Sequence, residues 1–408
     1  MSVSRRKVLF GITAMPVGHL LAGRPLPGLT TTVYNGYELH TAMQTAGPGS
    51  SILLTPGDYG DIGRFILAGS NISLRVQAPL RTILRVPLVV EGDFVELDGL
   101  AFEGGVHLAG AGEVIVNSSF TGNGIEIRGV NTEVHHCDIS RYSDRAIDVR
   151  SSASGVYIHD NTIHDCLPGA GPGIMIGTST RDTNKRVGAR VVSNTCINLA
   201  AGSNETLSFK SSGNVMSGNR LINCNNIVNR HGEDNEISGN RLERSGAIVI
   251  QDAHTLVANN VAAIRIMAGT SPWNMQVQGD HPQAAYTVLR GNNGALGIGG
   301  RYTPRYNYPA IYTRVESHNG GISLGLEQAT VLPGGQNRPD PDLEPSDQGT
   351  DRPRGQNSRD PELESSEPGA DLPGGQNSPD VDLEPSEQRQ GPARLGVEAP
   401  LAKLSAGG

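Results

Sequence analysis

No block of lysine and arginine stands out anywhere in the 408 residues. The 26 bases of residues 1–332 are matched by 26 acids, so the whole formal net charge of −8 belongs to residues 333–408, where fifteen acids face seven bases. A nucleic-acid-binding surface is therefore not indicated. Aromatic residues are scarce at 4%, whereas glycine is abundant at 53 residues. That balance favours one elongated all-β domain over two or three average globular ones. Two-residue hairpin turns are almost missing, which argues against a sandwich or a propeller, since their antiparallel strands need them. The apolar run in "SRRKVLFGITAMPVGHLLAG" is too short and too broken, by Pro16 and His19, to span a membrane. With Arg5 and Arg6 in front of it, residues 1–23 read as a twin-arginine-like export signal. An exported protein, periplasmic or secreted, with no membrane span in the mature chain is expected.

What the chain does have is a period. The segments "VELD", "VIVN", "VHHC", "IHDN", "VVSN", "MSGN", "ISGN", "VANN" and "LRGN" align Asp98, Asn117, Cys137, Asn161, Asn194, Asn219, Asn240, Asn260 and Asn292, mostly twenty to thirty-three residues apart. A second strand follows in nearly every unit: "IEIR", "IDVR", "IMIG", "LSFK", "IVNR", "IVIQ", "IRIM" and "LGIG". Short strands at such a period, joined by Asn- and Gly-rich turns, predict a single-stranded parallel β-helix over residues 30–332. Apolar residues point inward, and the recurrent asparagines form a hydrogen-bonded ladder. Right-handedness follows from the general crossover rule. "YELHTAMQTA" predicts a short amphipathic helix capping the open first coil.

From about Val331 the character changes. Gly-Gln-Asn recurs at 335, 355 and 375 within Pro-rich acidic repeats that hold scarcely any large apolar residue. Such a segment cannot bury a core, so residues 333–408 are expected to be a disordered acidic tail. The Gly-Gly-x-Gly-x-Asp nonapeptide of calcium-binding rolls is absent. Cysteine is limited to Cys137, Cys166, Cys196 and Cys224. No two of them take the same position in adjacent coils, so buried free thiols are expected rather than disulfides.

Aligning the second strands by their last residue gives a column: Arg128, Arg150, Gly177, Lys210, Arg230 and Gln251. Strand alternation turns Leu207 and Phe209 inward and Lys210 and Arg230 outward. The two cations then stand side by side, about 4.8 Å apart, on neighbouring strands. Repulsion favours the neutral form of Lys210, because arginine effectively cannot lose its proton. The pair reads as a general base beside a fixed charge, or as a solvated basic stripe.

The stretch "ETLSFKSSGNVMSGNRLINCNNIVNRHGEDNEISGNRLERSG" resembles the core motif of polysaccharide lyase family 6, the chondroitinase B and alginate lyase group. Lys-Ser at 210–211 and Arg-His-Gly at 230–232, one repeat apart, carry the resemblance, which is close over 190–246 and looser over 30–330. It implies β-elimination of an anionic, uronate-containing polysaccharide such as alginate or dermatan, with Lys210 as base and Arg230 as acid. It also implies calcium, which neutralises the uronate carboxylate. Here the ligand set is incomplete: Glu205 is kept as a metal ligand, but Ser203 stands where the family has a second acid. Either other oxygens complete the site, or Arg150 and His231 replace the ion's charge, or activity has been lost; Asp148 and Gln251 are expected to contact substrate. A monomer is expected. Two alternatives stay open: a β-helix glycoside hydrolase using Asp144 and Asp148, or a β-helix that binds glycans without cutting them. "HHCD" at 135–138 and "HDNTIHDC" at 159–166 look like metal sites, but their side chains are expected on turns facing different directions.

Overall fold

The computed structural model describes residues 28–333 apart from 61, 179–184, 274–281, 300–306 and 325–331. The export signal at 1–23 and the acidic tail, its first residue apart, lie outside the described residues. Described strands run from Thr30 to Pro333 and form three long parallel sheets of 14, 12 and 9 strands. One coil illustrates the path: Val215–Ser217 in the 14-stranded sheet, Arg220–Ile222 in the 9-stranded sheet, then Asn226–Asn229 in the 12-stranded sheet. Each pairs in parallel with its equivalents one coil away, Met216 for instance with Val191 and with Ile237. The expected parallel β-helix is the observed one.

Most coils carry three strands where the sequence suggests two. The strand left unread is the 9-stranded sheet's, typically three residues with only the middle one buried, as in Arg220–Ile222. One apolar residue between polar neighbours gives too little alternation to recognise. Inside, Leu207, Phe209, Ile227, Ile248 and Ile250 are fully buried, each burial stabilising by roughly 1.5–3 kcal/mol. The helix Gly36–Thr45 caps the first coil as expected. Asn35 accepts the Glu38 N–H at 2.9 Å while Glu38 accepts the Tyr34 N–H at 3.0 Å, a reciprocal cap. Leu39 and Met43 are buried beneath it.

The asparagine ladder is real from Asn161 onward. The side-chain amides of Asn161, Asn194, Asn219, Asn240 and Asn260 each donate to the next carbonyl oxygen at 2.9–3.1 Å, ending on Asn292. Asp98 and Asn117, however, are out of register. Asp98 ends its strand, and Asn117 occupies the left-handed residue before the ladder, φ 51°. The ladder position there belongs to Ser118, whose hydroxyl receives the Leu100 N–H at 3.2 Å. Asparagine suits both the left-handed turn and the ladder, so its presence alone does not separate them. All four cysteines are buried and unbridged; Cys166 and Cys224 share a column, but the pairing of Cys196 with Ile163 and Leu221 puts Leu199 between them.

Candidate active site

The 12-stranded sheet carries the cationic column on its outer face. Its register pairs Ile127 with Val149, Val149 with Ile176, Ile176 with Phe209, Phe209 with Asn229 and Asn229 with Ile250. The residues that follow these partners are Arg128, Arg150, Gly177, Lys210, Arg230 and Gln251, so the column is as the sequence arranges it. Lys210 and Arg230 are immediate neighbours, and Gln251 lies one coil beyond. Arg150 is two coils away, across Gly177. That position requires glycine: φ is +81°, and a Cβ would come within 2.7 Å of the Lys210 carbonyl oxygen. The Lys210 backbone approaches closely there, so no side chain stands in the column between Arg150 and Lys210.

Glu205 reaches this face through a bulge. The register shifts between Glu205 and Leu207, which resets the alternation and turns the carboxylate outward. There it pairs with the Arg230 guanidinium at 3.1 Å. Arg230 Nε is buried without a partner among the described residues, so one N–H remains for a ligand. Burial, reinforced by the Arg230 charge, lowers the Lys210 pKa from its usual value, with Glu205 opposing. Of Lys210 and Arg230, the lysine is therefore the one whose proton is held less tightly than usual.

A second short ladder, not foreseen from the sequence, fixes the two turns that carry these residues. Asn214 donates to the Ser211 carbonyl at 2.7 Å and to Asn235 at 3.1 Å; Asn235 donates to the carbonyls of Ser211 and Gly232 at 3.1 and 2.9 Å. The signal was available in "KSSGN" and "RHGEDN", which end on asparagines one coil apart, but their unequal lengths hide the register. His231 is only 5% exposed, with φ +66°, so it is embedded in the turn rather than open on the face. Next to it Asp252 is fully buried, and one of its oxygens has no partner.

Burial pushes the Asp252 carboxyl up to about 7 from 3.8, against the N–H groups of Ala253, Gly232 and His231, with Glu233 adding to the rise. A carboxyl raised in the folded state costs stability once ionised. The cost grows from about pH 4 to pH 7 and is constant above. Asp252→Asn, which keeps an acceptor for Ala253, should therefore stabilise the fold by about 4 kcal/mol at pH 8 and by almost nothing at pH 4. Denaturant unfolding at the two pH values measures this; an equal change at both would reject the assignment.

Asp148 is 7% exposed and accepts from Arg150 at 2.9 Å and Arg145 at 3.3 Å. Asp144 is far more open. Glu205, the one expected calcium ligand, is engaged by Arg230; the Ser203 hydroxyl is closed onto the N–H and C=O of Glu205 at 3.2 and 2.9 Å. Asn226 Oδ1 accepts the Ala247 N–H at 2.8 Å. These oxygens are already engaged within the chain, and among the described residues no group of three or more His, Cys, Asp or Glu is placed to hold a metal. The set does not fit a calcium cage of six to eight oxygens.

The histidine clusters need correction. His135 and His159 end paired strands on one face and stack at 4.8 Å, and His159 bridges Glu133 and Asp160, both at 2.8 Å. His164 likewise joins Asp138 and Asp165 on the 9-stranded sheet. Stacked coils bring equivalent residues together, so these side chains meet and pair with carboxylates instead of diverging.

With this geometry in view, comparisons with known proteins bear on the fold. Residues 100–242 match the family model described as a right handed beta helix region. A polysaccharide lyase of family 6 from Pseudopedobacter saltans superposes with a TM-score of 0.63 at 16% identity, over 77% of this chain and 94% of that one. The chain shares the fold of these lyases. A family 6 alginate lyase in complex with a trisaccharide gives 0.61 at 16% identity, over 72% and 80%. A mannuronic acid specific family 6 lyase from human gut microbiota gives 0.56 at 16% identity, over 72% and 83%. No curated protein matches the sequence.

Proposed function

We propose that the chain is an exported polysaccharide lyase that cleaves a uronate-containing polysaccharide, alginate or a glycosaminoglycan, by β-elimination. The main support is the placement of Lys210 beside Arg230 on the sheet face, the lysine biased toward its neutral form and the arginine held by Glu205. The fold shared with alginate lyases supports the same substrate class. Neutral Lys210 takes the C5 proton of a uronate, and the electrons of that bond form the C4–C5 double bond. The C4–O bond breaks with its pair on the departing oxygen. Arg230, on the acid side, donates a hydrogen bond to that oxygen and stabilises its charge; the oxygen takes its proton from water, and Lys210 returns the C5 proton to solvent.

Elimination requires the uronate carboxylate charge to be quenched as the enolate-like state forms. In this reading Arg150, held by Asp148 at 2.9 Å, supplies that charge from the far side of Gly177, in place of calcium. Exhaustive chelation should leave activity within about twofold, while Arg150→Ala should slow turnover by about a hundredfold. Complete loss on chelation, restored by calcium alone, would reject this part of the proposal.

The decisive test is product chemistry. Incubated with alginate, dermatan sulfate and mixed uronate polymers, the full chain should release unsaturated, ultraviolet-absorbing ends. New reducing ends without that absorbance would mean a hydrolase, and binding with no new ends a glycan-binding module.

A further inference from the structure

Beyond Arg230 the outer face of the 12-stranded sheet changes character. Its middle row runs Ser208, Val228, Val249, Arg265, Gly297 and Ser323, each paired with the next across adjacent strands. Gly297 is the one glycine in that row; every other described strand of the sheet puts a side chain there. The backbone does not ask for it. Unlike Gly177, Gly297 has no left-handed φ, and a Cβ would meet nothing nearer than the Ser323 hydroxyl oxygen at 3.5 Å. A glycine inside a strand costs about 0.5–1 kcal/mol against alanine, and it often marks a place where a ligand comes close to the backbone.

The bare place is the floor of a cavity of about 240 Å³, walled by Arg265, Met267, Ser323 and Leu324. The strand Ala263–Ile266, which bears Arg265, lies two strands beyond the one that ends before Arg230, about 10 Å along the sheet. The cavity is thus in line with Lys210 and Arg230. Other arginines of this face are committed: Arg128 to Glu126, Arg145 and Arg150 to Asp148, and Arg230 to Glu205. Arg265 is exposed and pairs with no carboxylate among the described residues. The outward positions beyond Arg230, namely Val249, Gln251, Arg265, Met267, Gly297 and Ser323, include no acid to compete for it. An open guanidinium of this kind is a receptor for a carboxylate. Met267 and the 57% exposed Leu324 offer apolar surface to the C–H face of a sugar ring. The Ser323 hydroxyl gives its hydrogen to the Leu296 carbonyl at 3.3 Å, which leaves its lone pairs for a sugar hydroxyl.

We propose that this cavity is a distal uronate subsite, in which Arg265 pairs with the carboxylate of a residue beyond the one being cleaved, so that the polyanion runs from Lys210 toward Ser323. The inference rests on reading the face as a polysaccharide groove. It deepens that reading by requiring a second uronate at this spacing, in chains long enough to reach it.

The test uses the full-length Lys210→Ala variant, which binds without turnover, and an alginate hexasaccharide as the probe. In calorimetry Arg265→Ala should weaken binding by about tenfold, the worth of one charge-assisted pair. Arg265→Lys should recover part of that loss, because the charge stays while the planar fork is gone. Gly297→Val suits the strand and fills the floor; it should weaken binding at least as much without lowering the thermal midpoint. Arg81→Ala, at an exposed arginine in a turn between the other two long sheets, controls for bulk charge and should leave affinity within about twofold. No binding of the hexasaccharide, equal affinities for Arg265→Ala and Arg81→Ala, or no effect of Gly297→Val overturns the proposal. So does a cavity that buries a second copy of the chain, seen as a dimer in sedimentation that Gly297→Val dissociates. Release of unsaturated ends by the wild-type chain is scored separately, so failure of the lyase reading and failure of the distal subsite give different results.

Discussion

Replacing Lys210 by alanine is expected to lower β-elimination by about a thousandfold, within the range that a positioned general base supplies, with the thermal midpoint almost unchanged. The residue follows the strand Glu205–Phe209 on its outer side and takes no part in the inward core. Loss of one of two adjacent cations removes a repulsion rather than a support. Lys210→Arg sharpens the point, because it keeps the positive charge and nearly the length but cannot become neutral. It should be as inactive as the alanine variant if the lysine is a base, and active if only its charge matters. The wild-type rate should rise with pH up to the lysine's depressed pKa, because the working form is the deprotonated one. Full activity in Lys210→Ala would remove the base assignment altogether.

The second large effect is on stability. Asn219 donates to the Val191 carbonyl and to Asn240, both at 2.9 Å, and accepts from the backbone and side-chain N–H groups of Asn194 at 2.9 and 3.1 Å. Asn219→Ala leaves the buried Asn194 N–H without its acceptor and takes one donor from the Val191 carbonyl, each costing about 1–3 kcal/mol, while the Asn240 oxygen keeps the residue-219 N–H and the Asn194 amide keeps the Ile158 carbonyl. A total loss of about 2–4 kcal/mol is expected in urea unfolding. The control is Asn117→Gly, which suits the left-handed backbone and removes only an exposed bond to Asp98; it should fall within about 0.5 kcal/mol. Equal costs for the two substitutions would mean that the ladder contributes nothing beyond its turns.

The contrast between those two asparagines also marks how far the sequence could be read. Repeated coils force equivalent residues into contact, so a column aligned by eye, such as Lys210 with Arg230, survives in three dimensions. Between neighbouring columns only one residue separates a ladder asparagine from a left-handed one, and composition cannot make that distinction. The Glu205–Arg230 pair was hidden for a related reason: plain alternation from Leu207 sends Glu205 inward, and only the bulge at Thr206 reverses it. His231 was misplaced on an open face because nothing in "RHG" reveals that the chain turns into the left-handed region there.

The connections between sheets are unequal in a way that bears on how this protein can change. From the 14-stranded to the 9-stranded sheet, the turns at 117–118, 136–137, 160–161, 193–194, 218–219 and 239–240 are all two residues long. From the 12-stranded sheet back to the 14-stranded one, the chain uses as few as the five residues 210–214 and as many as the 21 residues 267–287. The first corner is bolted by the ladder and tolerates no insertion without breaking it. The second borders the column of Lys210 and Arg230 and accepts length freely. New substrate contacts can therefore be added beside Lys210 and Arg230, one coil at a time, without loosening the spine that holds their register.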